Sequence, residues 1–295
     1  MKIGVALPQM ASGYGPGTTV EWARRVDAGP FSSVSAGERV TFSNPEMVAT
    51  LGACAAVTER VQVLANLFVL PQHSTAMVAQ QIGTLDQLSN GRLEVAVGVG
   101  GREHDYRALG ADFKGRHQQL DDKVAELKSL LAGKPPFDGA DPVGPECVQP
   151  GGPIILAGAM GPKAMRRAAR WADGISGFSI AGDAEEIAKV GALADRCWAE
   201  AGRATSPRKV SGCFTALGVA DASEVLRSFV ARYLGFLGPK LAERIAASAR
   251  ASSPEVLADI LDGAERAGCD EFILVPAVTD LTFLEVAAEV VAARS

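Results

Sequence analysis

The sequence predicts an α/β protein folded as a (β/α)8 TIM barrel, and three observations carry that expectation. Short β-rich runs alternate with longer helical patterns almost from end to end, giving eight strand–helix units. The strand candidates are apolar without clean in–out alternation, as expected where both faces of a parallel sheet are covered. The first of them runs into "LPQMASGYGPG", which lacks the G-x-G-x-x-G turn usual at the start of a doubly wound open sheet.

The strands are read at 2–7, 31–36, 61–66, 92–98, 153–157, 173–177, 209–219 and 271–276. Helical patterns lie near 17–28, 44–57, 74–88, 116–132, 161–171, 183–202, 221–234 with 239–249, and 253–266, and a last helix at 280–293 closes the chain. "SNPEM" offers Asn44 as N-cap with Pro45 at the first helical position, and "SSPEV" repeats the device at Ser253 and Pro254. "DAGP" and "ERAGCD" put glycine where a left-handed C-cap is expected.

Two segments exceed a minimal barrel. Residues 133–153, dense in Pro and Gly, predict an irregular surface excursion on the N-terminal side, between the fourth helix and the fifth strand. Residues 235–252 add a helical excursion after strand 7, on the C-terminal side, where it can cover a ligand.

The 295 residues are 47% hydrophobic and 21% charged, enough for a large core. Length alone would allow two domains, but α/β barrels of about 250 residues run as one, so 1–295 is expected to be a single barrel domain. A net charge of −5 and 6% aromatics leave no footprint for nucleic acid or an anionic membrane. No apolar run is long enough to span a bilayer, and "IGVAL" before Pro8 is too short for a signal peptide core. Five scattered cysteines without a C-x-x-C fit neither a disulfide framework nor a zinc site, so a reduced, cytoplasmic location is expected.

In a barrel the ligand site forms at the C-terminal ends of the strands. The segments there are rich in glycine and poor in nucleophile–base pairs, which suits a cofactor that carries the chemistry itself. "PIILAGAMGPKAMRRAARWADG" leads a buried strand through a glycine turn into a helix whose first turns carry Lys163, Arg166 and Arg167. Free amides and the dipole at that helix start favour a phosphate; from the turn alone, the commoner reading is a plain tight βα turn with a solvated basic face. In "GVGG", Gly98, Gly100 and Gly101 either admit a ligand close to the backbone or simply bend the rim. Glu38, His73 and His104 follow neighbouring strands, but no H-x-H or H-E-x-x-H spacing supports a metal, and no G-x-S-x-G elbow supports a serine hydrolase.

Three ordered blocks resemble the luciferase-like monooxygenase family. "NPEMVATLGACAAVTERVQVLANLFVLP" is similar to its helix 2 and strand 3, "QQIGTLDQLSNGRLEVAVGVGGREHDYRALGADF" to helix 3, strand 4 and the following loop, and "PIILAGAMGPKAMRRAARWADGI" to strand 5, its phosphate turn and helix 5. The resemblance runs over most of the chain, is strongest from 44 to 176, and implies a luciferase-like barrel that binds either FMN or the deazaflavin coenzyme F420. It implies a ring platform, often a non-proline cis peptide, at Asn66–Leu67. Phosphate-side contacts fall on Gly98, Gly100, Gly101 and His104, and on Gly158, Ala159, Met160 and Gly161.

The blocks look most like the F420-dependent oxidoreductase branch, which implies hydride transfer between the coenzyme and a small-molecule substrate; an FMN-dependent monooxygenase is the alternative. Glu38, Arg39 and His73, with His104 nearby, are the polar candidates for proton transfer or charge stabilisation. Members that oxidise a sugar phosphate carry an acid where this chain has Gly101 and a histidine where it has Arg39, so that substrate is not implied. A catalytically silent coenzyme-binding protein on the same barrel is the reading from a different class. The oligomeric state stays open, a homodimer included.

Overall fold

The computed structural model describes residues 1–294. The elements alternate as β1 (Lys2–Ala6), α1 (Thr18–Ala28), β2 (Ser33–Ala36), α2 (Met47–Val57), β3 (Gln62–Phe68), α3 (Thr75–Leu88), β4 (Leu93–Val97), α4 (Glu103–Ala108), α5 (Arg116–Leu131) and β5 (Ile155–Ala157). They continue as α6 (Pro162–Ala168), β6 (Gly174–Ser176), α7 (Ala184–Glu200), β7 (Arg208–Thr215), α8 (Ala222–Tyr233), α9 (Pro239–Ala246), α10 (Pro254–Arg266), β8 (Glu271–Pro276) and α11 (Thr282–Ala292). The eight strands pair in sequence order, all parallel, and β8 returns to β1, so the sheet is a closed barrel. This is the expected (β/α)8 fold, and closure leaves no unpaired sheet edge.

Inward-facing side chains stack in layers, as the two-residue period of each strand requires. At the N-terminal end Ser33, Glu94, Arg208 and Glu271 form a polar layer; Arg208 Nη2 lies 3.0 Å from Glu94 and 2.5 Å from Glu271, whose Oε1 also accepts from Ser32 and Ser33 at 2.6 Å. Above them Ala6, Leu64, Ala96, Leu156, Val210 and Ile273 make an apolar plug. The top layer holds small residues and opens into a cavity. Outside the barrel, a continuous core of strand and helix residues, Trp22, Leu51, Ile82 and Phe283 among them, is almost wholly buried. Burying each such side chain contributes about 1.5–3 kcal/mol.

Several local expectations are corrected. α2 starts at Met47, capped by the Glu46 side chain on the Ala49 amide, because Asn44 instead turns its amide onto the Pro45 carbonyl. Gly29 has φ −88°, an extended stop rather than a left-handed cap, whereas Gly268 at φ +77° is left-handed as expected. β3 does not stop at Asn66: the Asn66–Leu67 peptide is cis and the strand runs on to Phe68 after a register shift against β4. β7 ends at Thr215 rather than 219, since Gly218 and Asp221 both take positive φ and turn the chain into α8. α4 lies where only a loop was expected.

Residues 133–153 contain no helix or strand, and pack onto α3 through Asp86, which accepts from the Gln149 amide at 2.9 Å and its side chain at 2.7 Å. The Ser253 device is realised: its hydroxyl accepts from the Val256 amide at 3.3 Å and Pro254 opens α10. Ser253→Ala is therefore expected to cost about 1 kcal/mol, read as a lower denaturant midpoint at unchanged slope. An unchanged midpoint would mean that water replaces the cap.

Candidate active site

At the C-terminal mouth of the barrel the top-layer residues enclose a cavity of about 380 Å³, within the usual range of small-molecule sites, about 300–1,000 Å³. Its floor is the Asn66–Leu67 stretch of β3, with Ser176 of β6 donating to Asn66 Oδ1 at 2.8 Å. The chain can build this floor because its neighbours are glycine. A Cβ at Gly37 would stand 2.7 Å from the Asn66 carbonyl oxygen, and one at Gly158 would stand 2.5 Å from Leu67 Cδ2. Gly98 packs against the same leucine.

Glu38 and His73, 35 residues apart, meet at the rim: His73 Nε2 hydrogen-bonds Glu38 Oε1, and Glu38 Oε2 accepts from the Val69 amide at 2.7 Å. Lys123 of α5 fixes the same turn through the carbonyl of His73. On the other side, Asp105 accepts from the amide and hydroxyl of Thr41 and faces Arg102 Nε at 3.3 Å, tying the β2 loop to α4. Burial pushes the Asp105 carboxyl up, but the Thr41 donors and Arg102 outweigh it and hold the pKa below the ordinary value.

Arg39 is 5% exposed and lies 4.0 Å from the Phe42 ring centroid and 4.3 Å from that of Tyr233. Its Nη2 donates to the Tyr233 carbonyl at 2.7 Å, while Nε and Nη1 have no acceptor. Burial, helped by Arg102 and Arg232, lowers its pKa to about 10, so it stays cationic at neutral pH. Gln9 Oε1 and Gln72 Oε1, from the first and third loops, are likewise buried at this cavity without a donor.

Glu38, Arg39, Asn66, Leu67, Gly100 and Gly101 thus line one cavity, with His73 attached through Glu38. Gly98 and Gly158 stand just behind it against Leu67, and Ala159 is buried beside them. Met160 and Gly161 are exposed on the turn into α6, and His104 is exposed in the first turn of α4. In α6, Arg167 is spent on Asp121 and the His117 carbonyl, leaving Lys163 and Arg166 as the exposed cations of that turn.

Sequence reasoning missed the aromatic wall. Phe214 centres a cluster with Phe178 at 4.7 Å, Tyr233 at 5.0 Å and Phe229 at 5.3 Å, and all four line the cavity. The apolar spacing of "EVLRSFVARY" in α8 marks a buried helix face, but not what that face meets. Among the described residues no three His, Cys, Asp or Glu side chains gather as metal ligands, and no helix is long and apolar enough to cross a membrane.

A closed parallel barrel with a mainly apolar, glycine-supported cavity at its C-terminal mouth places the protein in the TIM-barrel class. Within that class, the profile of the luciferase-like monooxygenase family matches residues 1–268, and the chain belongs to this family. An uncharacterized protein of Mycobacterium tuberculosis is 32% identical over 170 residues, which cover 55% of this chain and 59% of that relative. The chain thus spans less than two thirds of that curated relative's length.

Two solved structures share the fold over nearly their whole length. An F420-dependent secondary alcohol dehydrogenase in complex with an F420–acetone adduct superposes with a TM-score of 0.80 at 19% identity, covering 100% of this chain and 99% of the other. The oxygenating constituent of 3,6-diketocamphane monooxygenase from Pseudomonas putida, in complex with FMN, superposes with a TM-score of 0.72 at 15% identity, covering 100% and 98%.

Proposed function

We propose that the protein is an oxidoreductase that binds coenzyme F420 across the barrel mouth and moves a hydride between it and a small organic substrate. The observation that carries this reading is the cavity itself: two buried acceptors without donors, Gln9 Oε1 and Gln72 Oε1, belong to its lining beside the Asn66–Leu67 stretch. Buried orphan donors and acceptors each cost about 1–3 kcal/mol, so their collection at one site is best explained by a polar-edged ligand that satisfies them.

The residues fit the coenzyme. Asn66–Leu67 would form the platform under the ring, with Gln9 and Gln72 as acceptors for ring N–H groups. Gly158, Ala159, Met160 and Gly161 would present the turn to its phosphate, with Gly98, Gly100, Gly101 and His104 on the neighbouring loop. The exposed Lys163, Arg166 and Arg170 extend positive charge past that turn. This suits the anionic tail of the deazaflavin better than the single terminal phosphate of FMN. When bound, the deazaflavin supplies a ring carbon that gives or accepts a hydride. The chain's own part is to hold the ring flat on β3, to keep water out with the Phe178–Phe214–Tyr233 wall, and to hold a proton on the Glu38 Oε1–His73 Nε2 pair at the rim.

Fluorescence titration of the purified protein tests this. F420 is expected to bind with micromolar or tighter affinity and FMN more weakly. Stoichiometric FMN in the purified protein, with no binding of the deazaflavin, would transfer the reading to an FMN-dependent monooxygenase. Tight F420 binding without reduction of any acceptor would make the protein a carrier.

A further inference from the structure

We infer that the substrate is a monoanionic apolar acid, an aryl or alkyl carboxylate, whose carboxylate is held by Arg39 and whose body packs on the aromatic wall. The inference rests on the oxidoreductase reading only for its link to turnover; the anion site stands on its own geometry.

Arg39 is a buried guanidinium with no carboxylate partner. Three arginines, Arg39, Arg102 and Arg232, converge near the mouth, and the charges facing them are few. Asp105 is consumed by Thr41 and Arg102, and Glu38 by His73 and the Val69 amide. Arg102 also donates to the Thr41 carbonyl at 3.0 Å, and Arg232 donates to the Met10 carbonyl. Among the described residues lining the cavity, Arg39 is the one cation without a carboxylate partner: Arg102 pairs with Asp105, and Arg232 is exposed outside the lining. One such charge matches a monoanion, whereas a phosphate dianion would call for at least one further free cation. An unpaired buried charge is costly, and a carboxylate within hydrogen-bond reach removes that cost with a charge-assisted bond.

The neighbourhood of Arg39 dictates the rest of the ligand. The guanidinium is flanked on two sides by the Phe42 and Tyr233 rings, which stand 78° to each other, and this holds it in place. Directly beyond Tyr233 the wall is apolar: Phe214, Phe229 and Phe178 follow ring to ring at 4.7–5.3 Å. A ligand that reaches the guanidinium therefore lays its remaining atoms on aromatic faces, which favours an apolar body over a sugar or a polar chain.

The probes are phenylacetate and its neutral isostere phenylacetamide, titrated by calorimetry into the protein with and without F420, with F420 affinity measured separately. Phenylacetate is expected to bind at least tenfold tighter than the amide. Arg39→Met is expected to abolish that preference while leaving F420 affinity within about threefold, and Arg39→Lys to keep part of it, since it keeps the charge but loses the planar stack. Equal binding of acid and amide to the parent, no binding of either, or a preference that survives in Arg39→Met would each overturn the inference. If Arg39→Met does not fold, the parent's acid-to-amide ratio and its drop in Arg39→Lys decide. Failure of F420 to bind, with the acid preference intact, would overturn the coenzyme reading and leave the anion site standing.

Discussion

Arg208→Met is expected to destabilise the protein by about 3–5 kcal/mol, a fall in Tm on the order of 10 °C. Arg208 is the cation of the polar layer at the barrel's N-terminal end; without it Glu94 and Glu271, 9% and 1% exposed, face each other unpaired. Methionine keeps the stem's packing, so the loss reports the charge. The pH dependence gives a second reading. Burial already raises the Glu94 pKa above its usual 4.5, against the pull of Arg208 and with the push of Glu271. A folded-state pKa above the unfolded one means that the native state binds more protons between the two values, so stability falls as pH rises through that window. Removing Arg208 widens the window upward. Melts from pH 5 to pH 8 should therefore show the gap between variant and parent growing as pH rises. A gap of the same size at every pH would assign the loss to packing.

Gly161→Asp is expected to weaken coenzyme binding about thirtyfold with an unchanged melt. The glycine is not there for room or for backbone: it caps α6 at φ −95°, and nothing lies within 4 Å of where its Cβ would be. Aspartate is a favoured N-cap, so the turn should tolerate it. Its carboxylate would stand a few ångströms from the coenzyme phosphate. Two unit charges about 4 Å apart repel by roughly 4 kcal/mol at an effective dielectric near 20. Screening to about half of that still corresponds to about thirtyfold in affinity. Titration of parent and variant with F420, beside melts without it, measures both parts. Unchanged affinity would put the phosphate elsewhere than on this turn.

The barrel was legible because its signals are local: apolar runs without alternation, proline at helix starts, and no dinucleotide fingerprint after β1. What failed were the places where a tertiary contact overrides the local one. A strand stopping at Asn66 is what the apolar run predicts, yet β3 continues to Phe68 because glycines just past the ends of β2 and β5, Gly37 and Gly158, leave space for the irregular backbone and for Leu67. α4 is six residues long, too short to show a period. The site was legible as a set of rim residues but not as pairs. His73 meets Glu38 across 35 positions and Arg39 meets the Tyr233 carbonyl across 194, separations over which spacing carries no signal. The aromatic wall was invisible for the same reason, since Phe178 follows β6, Phe214 lies on β7 and Tyr233 ends α8.

The excursion after β7 leaves and returns through one narrow neck. Thr215 bridges Ala251 and the Ala216 amide donates to the Ala251 carbonyl at 2.9 Å, so the two ends of residues 216–251 meet at the end of β7, while Leu226 and Val230 of α8 pack into the core. That segment contributes Tyr233, Phe229 and Phe236 to the ligand cavity, whereas the Asn66–Leu67 floor belongs to the barrel itself. Because those ends are already closed on each other, lengthening the loops between α8, α9 and α10 changes loop-closure entropy only slowly. Residue changes in this segment reshape one wall of the cavity while the Asn66–Leu67 floor keeps its own support.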